Sequence, residues 1–246
     1  AGLVELRKEI SQYIDRTQKI VYNPLREILV TVGGSEAIDL ALRAMVNPGD
    51  EVLIPQPSFV SYEPCAILAG AVPVIIELKE ENEFRLTAQE LRSAITDKTK
   101  ILILSFPNNP TGAVMERKDL EAIAEVIREK DIFVISDEIY SALSYKGKHV
   151  SIASLPGMQE RTVLINGFSK AYAMTGWRLG YACAPSVIME QMIKIHQFAI
   201  MCAPTTSQYA AVEALRRGDE DVALMCEAYN QRRRFLMHTF REMGLQ

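Results

Sequence analysis

Residues suited to metal or redox chemistry are scarce in this chain. Among 246 residues there are three histidines, four cysteines and one tryptophan. His149, His196 and His238 share no metal-ligand spacing, so no metal site is expected. Cys65, Cys183, Cys202 and Cys226 lie far apart and form no CxxC pair, which excludes a disulfide framework and makes the reducing cytoplasm the default compartment. No apolar run is long enough to span a bilayer, and no signal peptide opens the chain, so no membrane partner is expected. A basic excess is missing too. Lys and Arg total 27 against 31 Asp and Glu, a formal net charge of −4, which leaves no electrostatic footprint for nucleic acid. The run Arg232-Arg233-Arg234 reads as the solvated face of a helix. A GxSxG nucleophile elbow and a GxxxxGK[ST] phosphate loop are both absent.

What is present is an ordinary globular composition, 48% apolar and 24% charged, arranged as short β-branched runs alternating with longer helical stretches. "EILVTV" (27–32), "EVLIP" (51–55), "VPVIIEL" (72–78), "KILILSF" (100–106), "IFVISDE" (132–138), "TVLING" (162–167) and "LGYACA" (179–184) read as strands. Helical patterns fall at 35–45, up to Ala69, at 88–95 and at 116–129, and from Pro185 onward almost everything is helical. "ILIL" and "FVIS" are apolar without interruption, as strands covered on both faces must be. This alternation predicts an α/β fold with a mostly parallel sheet. Residues 1–27 are expected to be a helical lead-in packed outside the sheet, 28–218 the main domain, and 219–246 one long helix. The start at Ala1 without a methionine and the stop at Gln246 inside a helical pattern suggest a segment of a longer protein.

In open α/β sheets ligands collect at the C-terminal ends of the strands, and four stretches fall there. Gly33-Gly34-Ser35-Glu36 joins a strand to a helix; small residues let a ligand approach the backbone, and the helix start offers free N–H groups to a phosphate, although a plain cap has the same composition. "SFPNNPTG" (105–112) is either a polar turn or a rigid holder for the Asn109 amide, with a cis Asn109–Pro110 bond as one way of aiming it. In "ISDEIY" (135–140), Asp137 ends a buried strand and Tyr140 follows; a carboxylate there needs a cationic partner, unless it caps a helix. "GFSKAYAMTGWRLGY" (167–181) holds Lys170 among small and aromatic residues, with Arg178 beyond it. A lysine in such a run either snorkels to solvent or is desolvated, and desolvation favours the neutral, nucleophilic amine.

"GGSEA", "PSFVSY", "PNNPTG", "SDEIY" and "GFSKAYAMTGWRLGY", in this order and over nearly the whole chain, resemble the class I/II aminotransferases of fold type I, which use pyridoxal 5′-phosphate. The resemblance implies a three-layer α/β sandwich with a roughly seven-stranded, mostly parallel sheet, and a large cofactor-binding domain whose small C-terminal domain lies beyond Gln246. It implies that Lys170 carries the cofactor covalently and serves as the base, that Asp137 holds the pyridine nitrogen protonated, and that Tyr140 and Asn109 bond the phenolic oxygen. Phe59 would stack on the ring, Gly34, Ser35 and Glu36 would form the phosphate turn mainly through backbone N–H groups, and Arg178 would pair with the phosphate. It further implies amino-acid and 2-oxo-acid substrates, ping-pong transfer and a homodimer. Many relatives carry a serine three residues before the lysine; here Gly167 removes that hydroxyl. A cystathionine-type β-lyase would keep the same lysine, aspartate and tyrosine, and some transcription regulators carry a domain of this kind behind a DNA-binding segment, so both remain alternatives at this level.

Overall fold

The computed structural model describes residues 1–145 and 147–245. Its strands are β1 (Ile28–Thr31), β2 (Glu51–Gln56), β3 (Val72–Glu77), β4 (Thr99–Ser105), β5 (Phe133–Asp137), β6 (Thr162–Gly167) and β7 (Gly180–Cys183). The helices are α1 (Val4–Gln18), α2 (Gly33–Met45), α3 (Tyr62–Leu68), α4 (Ala88–Ala94), α5 (Arg117–Lys130), α6 (Ser186–Ala199), α7 (Thr205–Arg217) and α8 (Asp219–Glu242). The strands form one seven-stranded sheet in the order β1-β7-β6-β5-β4-β2-β3. It is parallel except for β7, which runs antiparallel to both β1 and β6.

Side chains alternate across a strand, and here both faces are covered. Ile101 and Ile103 of β4 join the cluster beneath α2, α3 and α6, while Leu102 and Leu104 face the cluster of α4 and α5. Leu164 of β6 and Tyr181 of β7 pack against Leu6, Ile10 and Ile14 of α1 and against α7. The result is the expected three-layer sandwich. One expectation needs correction. Residues 1–27 are not helical throughout, because α1 stops at Gln18 and Lys19 turns left-handed at φ 61°. The Asn23-Pro24 step follows, which disfavours helix, and the chain loops into β1. Helix α1 itself lies on the face of the sheet, with its apolar stripe buried against it. The long C-terminal helix forms as expected, with Arg232 and Arg234 exposed.

The register sets the strand ends side by side. Ser105, Asp137 and Ile165 are aligned across β4, β5 and β6. Gly180 opens β7 opposite both Thr31 of β1 and Gly167 of β6. The turn from β1 into α2 rests directly on Gly180: a Cβ there would stand 2.6 Å from the Gly33 carbonyl carbon and from the Gly34 nitrogen. Gly180→Ala is therefore expected to force the backbone apart and lower stability by about 1–3 kcal/mol, read as a lower urea midpoint; an unchanged midpoint would refute this packing constraint.

Candidate functional site

A cavity of about 190 Å³ opens at this shared end of the sheet. Gly34, Ser35, Phe59, Asn109, Asp137, Tyr140, Lys170 and Arg178 line it, so residues spread through most of the chain meet at one place. Wider clefts of about 380 and 600 Å³ elsewhere gather none of them.

Each side chain arrives by a local route. Val32 precedes α2, so the N–H groups of Gly33, Gly34 and Ser35 in its first turn have no carbonyl partner within the helix. Gly33 has φ +78°, and a Cβ on it would lie 2.6 Å from an Arg178 guanidinium nitrogen. The cation thus lies against the helix start only because no side chain intervenes. Arg178 is itself left-handed, at φ 51°, with its guanidinium donating to the Thr175 carbonyl at 3.0 Å. In "PNNPTG" the two asparagines divide the work. Buried Asn108 folds the loop on itself, its Oδ1 accepting from the Thr111 hydroxyl at 2.9 Å and its backbone pairing with Gly112 and Ala113. That leaves Asn109 at the cavity wall, and the Asn109–Pro110 bond is cis. Lys170 is half-buried rather than enclosed, its Nζ 5.6 Å from the centroid of the Tyr140 ring.

Asp137 sits deepest. Its Oδ2 accepts from the Tyr62 hydroxyl at 2.8 Å and its Oδ1 from the Ile139 N–H at 3.1 Å. It caps no helix, and among the described residues no cation lies within ion-pair distance. Burial pushes this carboxyl above the usual carboxylate range; the Tyr62 and Ile139 bonds pull it back, and neighbouring Glu138 pushes it up again. Burial, reinforced by the charge of Asp137, drives the Tyr62 phenol well above its ordinary value, so Tyr62 stays a donor. The Tyr62 hydroxyl also lies 2.8 Å from Ser105 Oγ. Phe59, one helical approach earlier, meets the Tyr62 ring edge-on at 5.7 Å and presents its own ring to the cavity.

Tyr62 and Ser105 were not singled out from sequence, although both lie inside quoted motifs; the available signal was the closing tyrosine of "PSFVSY". Glu36 is the one candidate whose side chain does not reach the cavity. Its carboxylate accepts from the Val32 N–H and pairs with His196, leaving only its backbone near the turn. Chemically, the cavity offers a deep anion lacking a counter-cation, an anion-binding helix start beside a guanidinium, a primary amine, an aromatic wall and amide and phenol donors. Among the described residues, no group of three or more His, Cys, Asp or Glu is placed to hold a metal ion, and no helix is long and apolar enough to cross a membrane.

Comparison with known proteins adds a lineage. The family model for aminotransferase class I and II matches residues 1–246. The aspartate aminotransferase of Pyrococcus abyssi is 49% identical over 247 residues, covering 99% of this chain and 64% of that protein. Aromatic-amino-acid aminotransferase 2 of Thermococcus litoralis is 45% identical, with the same coverage of 99% and 64%. The crystal structure of an aromatic aminotransferase from Pyrococcus horikoshii OT3 superposes with a TM-score of 0.97 at 48% identity, covering 99% of this chain and 66% of that one. The chain thus spans just under two thirds of the length of the curated relatives it matches.

The unpaired carboxylate makes a stability prediction for ligand-free protein. Because the folded-state pKa of Asp137 is raised, its contribution is most favourable below the ordinary carboxylate range and is lost as pH rises through the folded value. The urea midpoint of the wild type should therefore fall relative to that of Asp137→Asn as pH is raised from about 4 toward 7; parallel profiles would refute it. Tyr62→Phe removes a hydrogen bond to a charged group, a loss of roughly 1.5–3 kcal/mol at neutral pH, and should extend the pH-dependent fall to higher pH. A Tyr62→Phe profile superposable on the wild type would show that the phenol does not support the carboxylate.

Proposed function

The chain belongs to the class I and II aminotransferase family, and from that premise we propose that its cavity binds pyridoxal 5′-phosphate and that the protein moves an amino group between an L-amino acid and a 2-oxo acid. The observation that carries this reading is the buried Asp137 carboxylate held by two neutral donors. An anion so placed is costly until a cation meets it, and a protonated pyridine nitrogen is a planar cationic N–H of the right kind.

The remaining residues fit the rest of that cofactor. Free N–H groups at the start of α2 and the Arg178 guanidinium suit a phosphate. Phe59 suits the ring face, and the Tyr140 hydroxyl and Asn109 amide suit the phenolic oxygen. Lys170 Nζ is the primary amine available to anchor an aldehyde. When bound, the cofactor supplies the carbonyl that captures an amine and the cationic ring that accepts the electrons of a broken Cα–H bond.

This chain's residues then have separable tasks. Asp137 keeps a proton on the ring nitrogen, with Tyr62 keeping Asp137 in place. Lys170 Nζ would take the proton from the substrate Cα as general base and, once protonated, would return it as general acid to the carbon that joins the cofactor ring to the amine nitrogen. Arg178 and the α2 turn hold the phosphate end and leave the amine's end free to react. Phe59 and Ile38 keep water off the ring. Amino donor and 2-oxo acceptor share one site in turn, which gives ping-pong kinetics. A homodimer in the cytoplasm belongs to the same proposal, supported by the family membership. The named relatives act on aspartate and on aromatic amino acids, and these are the first donors to try.

The test is a donor screen on full-length protein beside Lys170→Ala. Wild type should show parallel double-reciprocal lines with an amino donor and a 2-oxo acceptor. The variant should lose the visible absorption of a lysine-bound cofactor and lower transfer by at least 10²–10⁴-fold, roughly the range for loss of a general base. Full turnover in Lys170→Ala would overturn the assignment of the base. Ammonia and pyruvate from cystathionine, in place of donor-dependent transfer, would replace transfer by elimination.

A further inference from the structure

Behind the α2 turn lies a buried pair that the tasks above leave unused. Glu36 belongs to the first turn of α2, and His196 to the last turn of α6. His196 is fully buried, and its Nδ1 lies 2.7 Å from Glu36 Oε1. The other Glu36 oxygen accepts the Val32 N–H. His196 Nε2 is buried with no partner among the described residues. A hydrogen on Nε2 would be an unpaired buried donor, so the ring carries its hydrogen on Nδ1 and donates it to Glu36.

Two consequences follow for the turn. Helix α2 begins with free N–H groups at Val32, Gly33, Gly34 and Ser35. Glu36 takes the first of these, which leaves the other three without a carbonyl partner within the helix, at a turn whose Gly33 abuts Arg178. The carboxylate would be free to swing toward the same N–H groups and compete with an incoming anion. The bond from His196, on α6, whose Met189 and Met192 share a core cluster with α2, holds it back. Lining the cavity is left to Gly34 and Ser35, while Glu36 stays behind them.

We propose that Glu36 and His196 act as one positioning pair, fixing the α2 turn so that its N–H groups are preorganised for the phosphate of the cofactor. The proposal rests on the reading of the cavity as a pyridoxal 5′-phosphate site. It makes both residues determinants of affinity for the phosphate end alone. Neither touches the reacting atoms.

The experiment titrates cofactor-free, full-length protein with pyridoxal 5′-phosphate and, separately, with pyridoxal, which lacks the phosphate; absorbance reports binding. Glu36→Ala and His196→Ala should each raise the Kd for pyridoxal 5′-phosphate about tenfold, equivalent to about 1.4 kcal/mol. The Kd for pyridoxal should stay within about twofold. Because the two residues act as a unit, the double variant should be no weaker than either single one. His196→Asn, whose side-chain N–H can replace the Nδ1 donor, should recover most of the affinity, and it serves as the working variant if His196→Ala fails to fold. For His196→Ala at saturating cofactor, kcat should remain within about threefold of wild type. Equal weakening toward both ligands, additive effects, or unchanged binding of pyridoxal 5′-phosphate would overturn the pair. Wild type that binds neither ligand at Lys170 would overturn the cofactor reading with it, whereas normal wild-type binding with unmoved variants would overturn the pair alone.

Discussion

A carboxylate sealed at the end of a central strand governs this structure. Asp137 is 6% exposed, and its partners are a phenol and a backbone N–H, both neutral. Such an arrangement lowers stability, because removing an anion from water costs more than two neutral hydrogen bonds return. It persists only if the fold is strong enough elsewhere, and the fold is built that way. β4, β5 and β6, which set the register of Ser105, Asp137 and Ile165, are buried along most of their length, with core clusters on both faces of the sheet. The buried strands hold the costly charge, and the loops at their ends hold Asn109, Lys170 and Arg178.

Close backbone approach is the second constraint. Gly33, Gly167 and Gly180 form a cluster in which each glycine makes room for something specific. Gly180 admits the α2 turn, and Gly33 admits the Arg178 guanidinium. A Cβ on Gly167 would stand 3.0 Å from Gly180 Cα and from the Leu179 carbonyl oxygen, and 3.1 Å from Ile139 Cδ1. The serine that many relatives carry at this place would therefore crowd the β6–β7 pairing here.

Much of this was legible from sequence because it is encoded locally. Every strand expected from β-branched runs is present, since a run such as "KILILSF" leaves few alternatives once both faces must be covered. The motif residues converge because each follows a strand whose end lies at one edge of a parallel sheet. What escaped was long-range. Tyr62 reaches Asp137 across 75 positions and Glu36 reaches His196 across 160, and no local pattern announces either bond. The helical lead-in was overextended for a different reason: the pattern up to residue 27 is helical in composition, but the left-handed Lys19 and the Asn23-Pro24 step end the helix at Gln18. Lys170 lines the cavity with the other motif residues, yet its half-exposure depends on how the 168–178 loop lies, which composition does not fix.

The charges are arranged along a gradient that selects both a ligand and its orientation. The anion lies deep at Asp137, while Arg178 is exposed at the rim, where the α2 helix start adds partial positive charge. A molecule entering with its own anion first would meet the rim cation and stop there, its opposite end directed toward Asp137. Only a ligand that is anionic at one end and cationic at the other, with a flat body between to lie along Phe59, satisfies both poles. Reversal would set anion against anion in a buried place, where like charges are least screened. Lys170 lines the same cavity as both poles, with its Nζ near the Tyr140 ring. A ligand fixed at both ends is therefore held in one orientation toward that amine.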